Sequence, residues 1–193
     1  MTAWVAEDKA PREHQELASA ARKGLLMVYT GHGKGKTTAA LGIAFRALGR
    51  RYRIAVVQFI KGKWKTGEAA MAEELPGRID WFSMGDGFTW ITQNYAQDVE
   101  SARRAWATCC RLLTNEQYQI VIFDELCYVI AYNFLSVDEV RAGLLRRPPR
   151  THVILTGRDA PQALIEMADL VTEMRDIKHP YRQGLKAQPG IDY

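Results

Sequence analysis

No apolar run in the chain is long enough to span a bilayer, and the N-terminus carries no signal-peptide pattern. The sequence therefore reads as that of a cytoplasmic protein with no membrane partner. Cysteine is scarce. Cys109, Cys110 and Cys127 are the three in the chain, and none forms a C-x-x-C pair, so neither a disulfide framework nor a thiolate zinc site is expected. Buried core thiols in a reducing compartment remain. The four histidines, His14, His32, His152 and His179, show no ligand spacing, so no zinc centre is expected. Low-complexity linkers and internal repeats are lacking too. The net charge of +4 and pI of about 9.0 suit an anionic small ligand. They do not make a nucleic-acid stripe. The one short basic run, Arg146-Arg147 with Arg150, is broken by prolines and reads as a solvated helix end, so no nucleic-acid partner is expected. An Asn-Lys-x-Asp guanine signature is also missing.

What is present centres on Val28-Tyr29-Thr30-Gly31-His32-Gly33-Lys34-Gly35-Lys36-Thr37-Thr38. Leu25 to Tyr29 reads as a short buried strand, and Ala39 to Phe45 as a helix just after it. A glycine-rich turn between strand and helix lets backbone N–H groups converge on phosphate at a helix N-terminus. Lys36 can reach phosphate oxygens as a point charge, and the Thr37 hydroxyl can ligate Mg²⁺. The usual pattern has four residues between its first glycine and Gly-Lys-Thr, whereas Gly31 to Gly35 encloses three. Phosphate binding survives that shortening; the register of the nucleotide is what it alters.

The chain of 193 residues, 47% hydrophobic and 25% charged, is ample for one domain. Residues 1 to 23 are polar and form an N-terminal arm, with Glu13 to Arg22 a candidate helix too poor in apolar surface to stand alone. Residues 24 to 193 form the domain. Strands are expected at Ile54–Phe59, Ile79–Met84, Ile120–Phe123, His152–Thr156 and Leu170–Met174. Helices are expected at Gly67–Leu75, along Val99, Ala102, Trp106, Cys109 and Leu113, after a Ser136/Glu139 capping box, and after Pro161. Gly85 to Asn94 reads as a loop. Continuous apolar strands alternating with helices imply an α/β, three-layer, P-loop NTPase-like fold, a mostly parallel sheet of about six strands with helices on both faces. Ligands of such sheets sit at the carboxyl ends of the strands.

Two further stretches carry chemistry. The run Ile120 to Phe123 ends in Asp124-Glu125, either of which can hold Mg²⁺ opposite a phosphate loop, directly or through water. Gly87-Phe88-Thr89-Trp90 sets two large aromatics in a glycine-flanked loop. They either pin the loop to the core or form a wedge against a large flat ligand; the residues alone leave both open.

Taken together, Gly31-His-Gly-Lys-Gly-Lys-Thr-Thr, Val57-Gln-Phe-Ile-Lys-Gly, Gly87-Phe-Thr-Trp, Asp124-Glu125-Leu126 and the closing Gly184-Leu-Lys-Ala-Gln-Pro-Gly-Ile-Asp-Tyr193 resemble the P-loop ATP:corrinoid adenosyltransferases. The likeness runs from about Gly24 to Tyr193, with His32 standing where many members carry Asn. It implies ATP bound in reversed polarity, with a reduced Co(I) corrinoid attacking the ribose C5′ and tripolyphosphate leaving. By the same resemblance, Gly31, His32, Gly33, Lys34, Gly35, Lys36, Thr37 and Thr38 hold the triphosphate, and Thr37 and Glu125 with Asp124 hold Mg²⁺. Phe88 and Trp90 crowd the lower corrin face, and Arg46, Arg158 and His179 line the site. It further implies a homodimer in which residues 13 to 22 cover the partner's site, and a flavodoxin-like reductant. Two rival readings are an ordinary P-loop phosphotransferase or ATPase that releases ADP, and a corrinoid- or nucleotide-binding regulator without turnover.

Overall fold

Period-two burial builds the sheet. Along the first strand, β1 (Leu26–Thr30), Leu26 and Val28 enter one apolar cluster while Met27 and Tyr29 enter another on the opposite face. The same alternation splits β2 (Ile54–Gln58), β4 (Ile120–Asp124) and β5 (His152–Thr156) between the two clusters. Strands buried on both faces must be covered twice, which is why these segments read as unbroken apolar runs. With β3 (Ile79–Ser83) and β6 (Leu170–Glu173), they form a six-stranded sheet in the order β3-β2-β4-β5-β1-β6, every neighbouring pair parallel. The computed structural model describes residues 22–60, 66–84 and 94–192.

One face is covered by α1 (Lys36–Leu48), whose buried residues Ala40, Ala44 and Ala47 recur at helical spacing. Small side chains let the helix axis lie close to the sheet, and so bring its N-terminus to the end of β1. The other face is covered by α3 (Tyr95–Leu113), which buries Trp106, Cys109, Leu112 and Leu113. Beside it run α5 (Val137–Leu144) and α6 (Gln162–Met167), which add Val140, Leu144 and Leu164. The Asn94 side chain accepts a hydrogen bond from the Gln97 amide at the start of α3, and Ser136 accepts one from the Glu139 amide at the start of α5, as the capping pattern predicts. The short α2 (Gly67–Glu73) packs beside β3 and is capped by Thr66. Before β1, the Gly24 amide donates to the Pro149 carbonyl at 2.6 Å, and Lys23 ion-pairs with Asp169. That pairing and the Leu26 amide hold the Asp169 carboxyl below the usual carboxylate range.

The expected strands and helices are all present where the structure describes them, shifted by a few residues at their ends. Three differences carry meaning. A helix that the sequence pattern misses, α4 (Leu126–Ala131), follows the acidic pair; six residues are too few for a helical period to show. The last strand ends at Glu173, and Met174 beyond it bridges two elements: its amide still donates to the Thr30 carbonyl of β1 at 2.8 Å, while its carbonyl turns to the phosphate loop. Coverage of both faces also fails at β6, the sheet edge, where all four residues are exposed. Most of the N-terminal arm and most of the expected 85–94 loop lie outside the described residues.

Two helical glycines give a paired test of this packing. A Cβ built on Gly143 would fall 2.4 Å from Trp106 Cζ2, whereas one on Gly42 meets nothing within 4 Å. Gly143→Ala should therefore cost about 1–3 kcal/mol through overpacking despite alanine's better helix propensity. Gly42→Ala should gain about 0.5–1 kcal/mol. Urea unfolding monitored by circular dichroism reads both signs.

Candidate active site

The site assembles at the carboxyl edge of the sheet because β4, β5 and β1, neighbours in the sheet, all end there. Gly31 to Gly35 leaves β1 and enters α1, with φ of 94° at Gly31 and 108° at Gly35, a region that L side chains rarely occupy. No side chain caps α1, so its first amides point toward the space that an anion would fill. Lys36 is 7% exposed, and its Nζ donates to the Gly31 and Gly33 carbonyls, each at 2.7 Å. Burial lowers its pKa, opposed first by the negative charge of Glu125. An anion beside Lys36 would supply the charge that burial has taken away from water.

Asp124, the last residue of β4, is 1% exposed and gathers three donors. Its Oδ1 accepts from Thr37 Oγ1 and from Thr156 Oγ1, both at 2.7 Å. Its Oδ2 accepts from Gln58 Nε2 at 3.3 Å, and Gln58 Oε1 in turn accepts from Trp81 Nε1 at 3.2 Å. This chain of bonds ties β3, β2, β4, β5 and α1 into one polar seam. Glu125 turns the chain with φ 64° and ψ 18°, left-handed for a residue that carries a side chain.

The donor set fits Mg²⁺. Thr37 and Asp124 are hard oxygen groups in contact, with Glu125 next in the chain. Among the described residues no cluster of three or more His, Cys, Asp or Glu forms a metal cage. Mg²⁺ suits such a sparse set, because it keeps several waters and draws other ligands from phosphate.

The other expected site residues divide. His32 Nε2 lies 3.4 Å from Asp159 Oδ1, which links the phosphate loop to the turn after β5. Arg158, exposed in that turn, lies near enough to act electrostatically on Lys36. Lys34 ion-pairs with Asp192, and the Asp192 carboxyl also accepts from the Gln188 amide at 2.8 Å, so the C-terminal turn reaches the phosphate loop. Arg46 is not brought to the loop: it lies exposed in the last turn of α1, about 15 Å of helix rise from Lys36, and acts on Tyr29. His179 caps a 3₁₀ turn, Pro180–Gln183, with its Nδ1 accepting from the Tyr181 amide at 3.1 Å. Phe88 and Trp90 lie outside the described residues. Two of the cysteines are core thiols: burial raises Cys109 well above its ordinary value and pushes Cys127 up to about 12. Cys110 is only half-buried, at the edge of the core.

Sequence reasoning assigned no role to Gln58, Thr156, Met174, Arg175 or Asp192. The first two had a readable signal, a polar residue closing an apolar strand. The others arrive by long-range contact. The Gly33 amide donates to the Met174 carbonyl at 2.7 Å, and a Cβ on Gly33 would fall 2.7 Å from the Arg175 backbone.

A phosphate loop on one strand, and an acidic strand end separated from it by a single intervening strand, define a P-loop nucleotide-binding fold. The flagellar accessory protein FlaH of Methanocaldococcus jannaschii shares this fold, with a TM-score of 0.50 at 15% identity over 86% of this chain and 77% of that one. Sequence narrows the class. The family model for ATP:corrinoid adenosyltransferase BtuR/CobO/CobP matches residues 22–193. A corrinoid adenosyltransferase of Sinorhizobium sp is 44% identical over 191 residues, 98% of this chain and 89% of that protein. One from Escherichia coli K12 is 44% identical over 171 residues, 89% of this chain and 86% of its own. The chain belongs to the ATP:corrinoid adenosyltransferase family.

The close approach at Gly33 separates two roles for that glycine. If it serves packing as well as the cradle, Gly33→Ala should lose about 1–3 kcal/mol of stability without any nucleotide. Urea titration of the ligand-free protein tests this; unchanged stability with weakened ATP binding would leave the cradle as its single role.

Proposed function

We propose that this chain transfers the 5′-deoxyadenosyl group of ATP to the Co(I) centre of a reduced corrinoid and releases tripolyphosphate. One observation carries the reading: a phosphate loop one residue short of the usual pattern, seated against Asp124, in a chain 44% identical over nearly its whole length to a corrinoid adenosyltransferase. The Co(I) lone pair attacks C5′, the C5′–oxygen bond breaks, and its electron pair leaves with tripolyphosphate. Cobalt becomes formally Co(III), bonded to carbon. No proton moves, so no general base is required.

The protein's work is orientation and stabilisation of the leaving group. The amides of Gly31 to Thr38 and the Lys36 ammonium hold the triphosphate, with Arg158 as a second cation. Mg²⁺ held by Thr37 and Glu125, with Asp124 behind them, would neutralise charge on the departing tripolyphosphate. Phe88 and Trp90 crowd the lower corrin face and exclude an axial ligand, which eases reduction of Co(II) to Co(I); the family resemblance supports this role. Arg46 and His179 are the weakest assignments: one sits at the far end of α1, and the other already caps a turn. The resemblance also supports a homodimer in which residues 13 to 22 cover the partner's site, a flavodoxin-like electron donor and a cytoplasmic location. Among the described residues no helix is long and apolar enough to cross a membrane.

The decisive assay mixes the protein with ATP, Mg²⁺ and chemically reduced cobalamin, anaerobically and in the dark. Adenosylcobalamin and tripolyphosphate should appear in equal amounts; ADP with inorganic phosphate would instead mark a hydrolase. Lys36→Ala should lower kcat/KM by about 100-fold or more. Phe88→Ala and Trp90→Ala should impair adenosylation from Co(II) with a biological reductant far more than from preformed Co(I). Equal losses in both would remove the wedge.

A further inference from the structure

Thr156 closes β5 and is fully buried, yet neither the loop motif nor the acidic pair calls for it. Its one hydroxyl makes two bonds of opposite sense. It donates to Asp124 Oδ1 at 2.7 Å, and it accepts from the backbone amide of Glu125 at 2.9 Å. The amide that it holds belongs to the residue with left-handed backbone at φ 64°. A side-chain-bearing residue in that region costs about 1–2 kcal/mol and persists where its surroundings fix it. The next residue reinforces the fixing. Gly157 has φ 136°, and a Cβ there would lie 2.9 Å from both Cys127 Cβ and the Tyr128 amide nitrogen, so β5 ends hard against the first turn of α4.

The consequence is geometric. Asp124 Oδ1 is shared by Thr37 and Thr156, so the hydroxyl at the start of α1 and the turned peptide of Glu125 are referred to the same oxygen. We propose that Thr156 is a positioning residue for the nucleotide–metal site: it holds Glu125 in its left-handed turn so that the Glu125 carboxylate and the Thr37 hydroxyl face one metal position. This rests on the reading of Thr37 and Glu125 as Mg²⁺ ligands. Thr156 touches neither the metal nor the nucleotide. Glu125 is also the acidic group acting most strongly on Lys36, the lysine of the phosphate loop.

Valine has nearly the shape of threonine without either bond. Thr156→Val leaves the Glu125 amide without its acceptor and frees the turn to relax, whereas Thr156→Ser keeps both bonds. The readout is retention of Mn²⁺, standing in for Mg²⁺, by the full-length protein with ATP, measured by electron paramagnetic resonance. Thr156→Val should weaken Mn²⁺ about tenfold, the usual scale for groups that orient a metal ligand, and Thr156→Ser should stay within about twofold. Corrinoid KM should be unchanged while the Mg²⁺ concentration needed for half-maximal rate rises. Retention by Thr156→Val within about twofold of wild type overturns the proposal. Should that variant not fold, Thr156→Ala, which removes both bonds without valine's branched bulk in the packed strand end, is read the same way: a loss of about tenfold supports the proposal and retention within about twofold of wild type overturns it. A wild-type protein that retains Mn²⁺ with ATP yet produces ADP sinks the adenosylation reading and leaves the Thr156 assignment standing.

Discussion

A single buried carboxylate holds the two halves of the site in register. Asp124 sits at the end of a central strand with almost no access to water, and a carboxyl group there is costly unless its oxygens are satisfied. They are satisfied by hydroxyl and amide groups from α1, β5 and β2. The first turn of α1 is thereby tied to a strand two places away in the sheet, across the intervening β5. Remove the carboxylate, and the backbone ladder still holds the strands in place, but no side chain then ties the first turn of α1 directly to the acidic strand end.

That seam explains a pattern visible along the whole sheet. All six strands finish on a polar residue: Thr30, Gln58, Ser83, Asp124, Thr156 and Glu173. Four of these, Thr30, Gln58, Asp124 and Thr156, are buried. The apolar stretches of the strands make the core, and their last residues make the floor of the site. Thr30 joins in by accepting from the Ala160 amide at 3.1 Å, which stitches β1 to the turn carrying Arg158 and Asp159.

Much of this was legible in the amino-acid order. The loop, the acidic pair and the apolar runs are local signals, and each predicted its own position. Gln58 and Thr156 were legible in kind but not in role, because a polar side chain at a strand end says nothing about which neighbour it will meet. The contacts of Met174, Arg175 and Asp192 with the phosphate loop join residues more than a hundred positions apart, and no periodicity encodes them. The exposure of β6 escaped for a related reason: an apolar run looks alike at the centre of a sheet and at its edge. Arg46 stands on the expected helix, and its distance from the loop follows from helix rise alone, ten residues on from Lys36.

The company kept by Gly35 has a bearing on chemical ageing. A Cβ at that position would come within 3.0 Å of the Met174 sulfur, so thioether and loop backbone already share a tight boundary. Sulfoxidation of Met174 would place a polar oxygen at that boundary, and the methionine also anchors Gly33 through its carbonyl. A protein stored in air can thus lose the shape of its phosphate loop while every residue of the loop itself stays intact.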